Sequence, residues 1–370
     1  MLKSLSRLNF FCILFLLSSS ILFAAPEVKR PEIKNQDWRL LKQAQVAFEE
    51  NDFGLAASLA VSAKDSRTQE CKWKIYTLDN LLKTREARSA TSNIKDVLLA
   101  LEKRDSKVGI EIIYDELTKH GSSYFNDDIG QLQEHVAKQN VYPEADFLLS
   151  KIYALEGESA QAISFAKKAY DNAWLLNVSE EKYDILYSLA FLSKDNGNTD
   201  DYEAYLLTIL KDNKHFVDES FLQSLCRIIK KDSKKEVDKY FLMFRSENDF
   251  SLKALNELCH YYRNNGKDDK ALNCAALGVT TAFTKIYNVI KSREVQFEYQ
   301  GLKELLRHAK KYQDIINWGN EEKVWELFLL FADCSSSSGS LKFAHELYEI
   351  LSVAEPEDYW CKVAAERIKI

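Results

Sequence analysis

The chain has 370 residues, with 50 basic and 56 acidic side chains, a formal net charge of −6, four prolines and eleven glycines. So few helix breakers fit a nearly all-helical protein, and the charge is spread along the chain without a basic block suited to phosphates, which argues against nucleic-acid binding. The length is large for one compact core, whereas an elongated stack of helices has no such ceiling.

At the start, Lys3 and Arg7 form a short basic region, residues 10–22 an apolar run, and Phe23-Ala24-Ala25-Pro26 a small-residue site. This is the architecture of a secretory signal, with cleavage expected after Ala24. The division that follows is 1–25 signal peptide, 26–36 a short N-terminal segment, and 37–370 one helical domain. The alternative is an uncleaved anchor, because residues 8–25 reach the lower edge of a spanning length. No later apolar run could span a membrane. Removing the signal takes two basic residues and no acidic one, moving the net charge from −6 to −8. That balance disfavours an anionic membrane surface as the ligand. The expected location is the periplasm.

The first helical pair follows, with Ala44, Ala47, Ala56, Ala60 and Ala63 around the turn Asn51-Asp52-Phe53-Gly54. The clearest pair is PEADFLLSKIYALEGESAQAISFAKKAYDNA over residues 143–173. Ala145, Leu148, Leu149, Ile152 and Tyr153 recur at helical spacing before the turn Glu156-Gly157-Glu158, and Ala162, Phe165, Ala166, Ala169 and Tyr170 after it. Leu186, Leu189, Ala190, Gly197, Leu206 and Ile209 form a degenerate copy, with Tyr202 where the others place Ala. Leu255, Leu258, Tyr262, Gly266, Ala271 and Ala275 form another, with Cys259 and Gly278 at small-residue places. Phe331, Ala332, Gly339, Ala344, Tyr348 and Leu351 form the last, followed by Pro356. The serine run 335–340 reads as an extended turn within it. A hairpin of this kind cannot bury its apolar face alone and calls for similar neighbours.

These residues resemble the tetratricopeptide repeat family. Leu149, Tyr153, Gly157, Ala162 and Ala169 fall on its consensus places, while Asp146 and Ser150 stand where Trp and Gly are usual. The resemblance implies an all-α, right-handed α-solenoid of stacked antiparallel helical hairpins that binds other proteins. It also implies that the first helix of each hairpin lines a concave groove. The corresponding places here are Phe147 and Lys151 in the middle copy, Lys253, Asn256, His260 and Arg263 in the later one, and Trp38, Leu41, Gln45 and Phe48 in the first. Such a mixed apolar and basic groove would suit an extended or helical peptide of acidic character. The anchors Ala56, Ala162, Ala271 and Ala344 are more widely spaced than an uninterrupted array of about 34 residues per hairpin allows, so longer connections are expected.

No catalytic, cofactor or metal residue is assigned. The six histidines are scattered without HExxH spacing, no CxxC occurs, and nucleophile-elbow and phosphate-loop motifs are absent. Asp127-Asp128, Asp200-Asp201 and Asp268-Asp269 read as helix caps, and His120-Gly121 as a helix end. Cys71, Cys226, Cys259, Cys274, Cys334 and Cys361 are expected to be free thiols, with Cys259 and Cys274 the pair nearest in a hairpin. The function expected is a non-catalytic exported scaffold or adaptor in a cell-envelope assembly, acting on proteins or peptides. The alternative is an envelope enzyme accessory or a degenerate polysaccharide-processing protein.

Overall fold

The computed structural model describes residues 28–32, 36–102, 107–233, 235–354 and 358–369. The signal segment 1–25 and Pro356 lie outside them. Among the described residues the protein is all-α; no strand forms, and Asn93 and Asp128 share a lone β-bridge. The chain divides into two compact units, one ending at Ile152 and the other beginning at Tyr153.

In the first unit, α1 (Asp37–Glu49) turns into the long α2 (Phe53–Leu82). Ala44 and Ala47 of α1 and Ala56, Ala60 and Ala63 of α2 are all buried, and methyl-sized side chains let the two backbones approach closely. Asp52 caps α2 by accepting from the Leu55 amide at 3.1 Å. The short α3 (Arg85–Ser89) leads to α4 (Ile94–Glu102), α5 (Lys107–His120) and α6 (Ile129–Lys138). Leu78 and Leu81 of α2 share a core there with Ile94, Val97, Leu101, Ile112, Ile113, Leu132 and Val136. Asp128 caps α6 through the Gly130 and Gln131 amides. Most of α7 (Pro143–Leu155) completes the unit. Asp146, where the repeat resemblance leads one to expect Trp, is buried because it pairs with Lys64 at 2.5 Å.

The second unit runs through α8 (Ser159–Asp171), α9 (Glu181–Asp195), α10 (Thr199–Leu210), α11 (Glu219–Lys230), α12 (Glu236–Met243), α13 (Leu252–Asn264), α14 (Asp268–Arg293), α15 (Leu302–Ala309), α16 (Gln313–Glu321), α17 (Val324–Ser337), α18 (Leu341–Ala354) and α19 (Asp358–Arg367). The serine run expected as an extended turn is partly helical. Ser335 to Ser337 close α17, and Ser335 is buried because its hydroxyl bonds the Phe331 carbonyl one turn back at 2.8 Å.

One turn geometry recurs along the chain. At Asn51, Gly157, Gly197, Gly266 and Gly339 the backbone adopts positive φ, from +63° to +86°. In each case the next residue's amide reaches back five residues: Asp52 to Ala47, Glu158 to Tyr153, Asn198 to Ser193, Lys267 to Tyr262 and Ser340 to Ser335, all at 2.8–2.9 Å. This is the double-bonded helix ending that favours Gly, with Asn as its usual substitute. The next helix then opens with an amide bond from Ala56, Ala162, Tyr202, Ala271 or Ala344 to that same turn residue. The places aligned by sequence are therefore geometrically equivalent in all five turns.

Besides the consecutive packing of α8 on α9, several helices in contact within the second unit come from hairpins that are not consecutive in sequence. The α10 helix packs on α13, and α14 on α17, while α11 packs on α14, and α12 and α15 on α18. The intervening pairs account for the wide anchor spacing. Helix α14 is buried on all sides from Cys274 to Thr284. It tolerates Thr280, Thr281 and Thr284 because each hydroxyl bonds the carbonyl four residues back. Gly278 marks a close crossing, since a Cβ there would sit 3.0 Å from a Leu327 methyl. Asp232, between α11 and α12, caps α18 from 110 residues away at the Lys342 amide, at 2.6 Å. Asp238 accepts from the Leu302 amide at 2.8 Å at the start of α15.

Candidate functional site

The groove places expected from sequence fall on α1, where Leu41 is buried and Trp38 exposed, and on α7 and α13. On α7, Phe147 is buried rather than groove-lining, because that helix is enclosed on most sides from Ala145 to Ile152. Lys151 is exposed, and its ammonium lies 4.1 Å over the Phe147 ring.

Helix α13 carries the other four, and its neighbours α9 and α17 engage them closely. The Lys253 ammonium lies over the rings of Phe191 and Tyr187, at 4.8 and 5.1 Å. The Tyr187 hydroxyl donates to the Phe250 carbonyl at 2.8 Å and accepts from the Ala254 amide at 3.0 Å, fixing α9 against the start of α13. One turn on, Glu257 accepts from the Tyr202 hydroxyl at 2.7 Å and from Lys194 at 3.1 Å. Burial pushes the Glu257 carboxyl up, but these two bonds together outweigh it and hold it below the usual range. This explains the departure at Tyr202, whose phenol bridges α10 to α13 where a methyl group could not.

On the other side of α13, His260 lies 3.4 Å from Glu326 and Arg263 lies 3.3 Å from Asp333, both on α17. The neighbouring His260 imidazole holds the Glu326 carboxyl below its ordinary range despite partial burial. Asn256 is buried, and its Oδ1 has no hydrogen-bond partner. The stripe expected to stand free is thus largely committed to neighbouring helices. What remains available is the exposed end of Lys253, the outer edge of His260, with its side chain 40 % exposed, and the partly exposed rings of Tyr187 and Phe191. Such a face can exchange internal ion pairs for those of a ligand.

Two histidine clusters were not assigned from sequence. In the second unit, His308 bonds Glu294 at 2.8 Å through Nδ1 and Glu304 at 3.1 Å through Nε2, beside an open pocket that also includes Phe297. In the first unit, Glu116, His120 and His135 bring their ligand atoms within 4.8 Å of one another. Burial holds His135 below the ordinary imidazole value. The spacing Glu116-x3-His120 carries a signal for two of the three residues, since residues four apart share a helix face; His135 arrives from another helix.

No protein-family model matches the chain. It is similar to an uncharacterized protein of Treponema pallidum (strain Nichols), 26% identical over 362 residues covering 96% of each chain. It is also similar to an uncharacterized protein of Borreliella burgdorferi, 24% identical over 259 residues that cover 64% of this chain and 79% of that one.

Proposed function

We propose that this chain is a non-catalytic, exported scaffold of the tetratricopeptide kind, whose hairpins wind as a right-handed α-solenoid and hold segments of partner proteins in a cell-envelope assembly. The observation that carries this reading is the five-fold recurrence of one hairpin turn, with Ala56, Ala162, Tyr202, Ala271 and Ala344 at the same bonded place. Repeated hairpins build extended surfaces rather than single enclosed pockets, and such surfaces suit peptide segments. Lys253, His260 and the rings of Tyr187 and Phe191 form the contact face in this reading, with an acidic or mixed-charge segment as its ligand.

The test begins with N-terminal sequencing, where a start near Ala25 is expected for the exported form. The exported protein should then co-purify from envelope extract with a stoichiometric protein partner. Lys253→Glu should slow that association and flatten its salt dependence. Rates indistinguishable from the parent would return the face to ordinary solvated surface. Binding to purified peptidoglycan alone would replace the scaffold by the accessory reading.

A further inference from the structure

We propose that Glu116, His120 and His135 bind one divalent cation of the zinc class within the first unit. Glu116 and His120 share a face of α5 one turn apart, and the tight 3₁₀ turn Ser122–Phe125 with the Asp128 cap returns the chain so that α6 presents His135 to the same place. The two imidazole rings lie 4.9 Å apart at 75°, with Tyr124 stacked on His120 at 4.7 Å and Phe125 edge-on to both.

The independent sign of a ligand is Glu116. Its side chain is fully buried, a rare state for a carboxylate unless it is paired or coordinates a metal. Its Oε2 accepts from Gln139 at 2.8 Å and lies 3.7 Å from His135 Nε2. Its Oε1 has no hydrogen bond. The Lys119 ammonium is 3.8 Å from that oxygen, beyond hydrogen-bonding reach and on a side chain 57% exposed, so it can swing to solvent. The Gln139 bond orients the carboxylate beside His135 as an outer partner orients a metal ligand, and Oε1 is left without a hydrogen bond.

Two imidazole nitrogens and one carboxylate oxygen are the donor set of zinc and similar borderline ions, whereas Mg²⁺ and Ca²⁺ favour oxygen alone. Tetrahedral zinc holds such donors about 3.4 Å apart. The three side chains must therefore draw inward by about an ångström, which the exposed His120 ring can supply by rotating. Solvent on the His120 side fills the fourth position. A cation bound here clamps the last turn of α5 to α6.

The full exported chain, stripped with a chelator, is titrated with Zn²⁺ alone by calorimetry and with Co²⁺ by visible absorption. One equivalent should bind, Co²⁺ should give the intense bands of a four-coordinate ion, and Zn²⁺ should raise the thermal midpoint by a few degrees. His120→Asn, at an exposed position that the fold tolerates, should weaken binding at least tenfold and abolish the thermal shift. Glu116→Gln and His135→Asn should do the same, and His345→Asn should change nothing. Zn²⁺ affinity unchanged in His120→Asn overturns the site, as does the absence of binding to the parent chain.

Discussion

The Asp333 carboxylate of α17 lies 3.3 Å from the Arg263 guanidinium of α13. The same carboxylate accepts the Tyr348 hydroxyl of α18 at 2.7 Å and faces Arg367 of α19 at 3.5 Å. One nearly buried acid thus gathers groups from three other helices. Arg263 accordingly serves the packing between hairpins as well as the candidate face, and a charge reversal there would set two acids against each other.

Removing the acid should therefore cost more than removing one of its partners. Asp333→Ala leaves Arg263 beside Arg367 and strips Tyr348 of its acceptor, an expected loss of about 1–3 kcal/mol after allowing for the partly exposed arginines. Arg263→Ala leaves the other two partners in place and should cost under about 1 kcal/mol. Urea unfolding of both variants measures this. Equal losses would show that Asp333 is not the centre of the group.

Glu257 gives the acid limb of stability a defined contribution. Its folded-state pKa is lowered, so the stabilisation is fully present above the ordinary carboxylate value of about 4.3 and fades as pH falls through the lower folded value. Glu257→Gln should be less stable than the parent at pH 7. The gap should close on acidification below about pH 4, because the parent then carries a neutral side chain too. A gap constant from pH 7 to pH 3 would remove the ionised Glu257 bonds from the account.

Ala162 is fully buried in the hairpin and Ala160 is exposed on the same helix. Tyr153 stacks on Phe165 at 5.4 Å in the same hairpin, and at Ala162 no surface is left exposed for a larger group to occupy. Ala162→Trp should therefore destabilise by about 1–3 kcal/mol or more, while Ala160→Trp changes stability little. Coincident thermal midpoints would contradict the register shared by the five turns.

Local features were legible in the sequence. Gly157, Gly197, Gly266 and Gly339 sit between amphipathic runs, and both the turn and its flanking helices depend on residues only a few positions apart. Long-range partnerships were not legible. Nothing near Asp232 reveals that it caps α18, and nothing near Arg263 or His260 reveals that α17 answers each with an acid. Phe147 and Asn256 were placed by analogy on an open face, yet both are buried, because helical periodicity identifies a face without saying whether another helix covers it. The sequence marks His120 as a helix end, which it is, but its proximity to His135 depends on how α5 and α6 fold against α2.

The thiols give a last test of which helices meet. Sequence spacing favoured Cys259 and Cys274 as the nearest pair, across one hairpin. In the structure Cys259 and Cys334 approach instead, their sulfurs 3.6 Å apart between α13 and α17. The contact with Cys334, together with burial, pushes the Cys259 thiol up, and burial does the same for Cys274. Such groups remain protonated and react slowly. Alkylation under denaturing conditions without reductant should count six thiols in the chain from residue 26 onward, and mild oxidant applied to the native protein should join Cys259 to Cys334 first. Peptide mapping distinguishes the outcomes. A Cys259–Cys334 bridge already present on purification would overturn the free-thiol expectation while agreeing with the packing of α13 on α17. A Cys259–Cys274 bridge would contradict both, because it would turn Cys259 away from α17 and open the core that Leu255, Gly278 and Leu327 close.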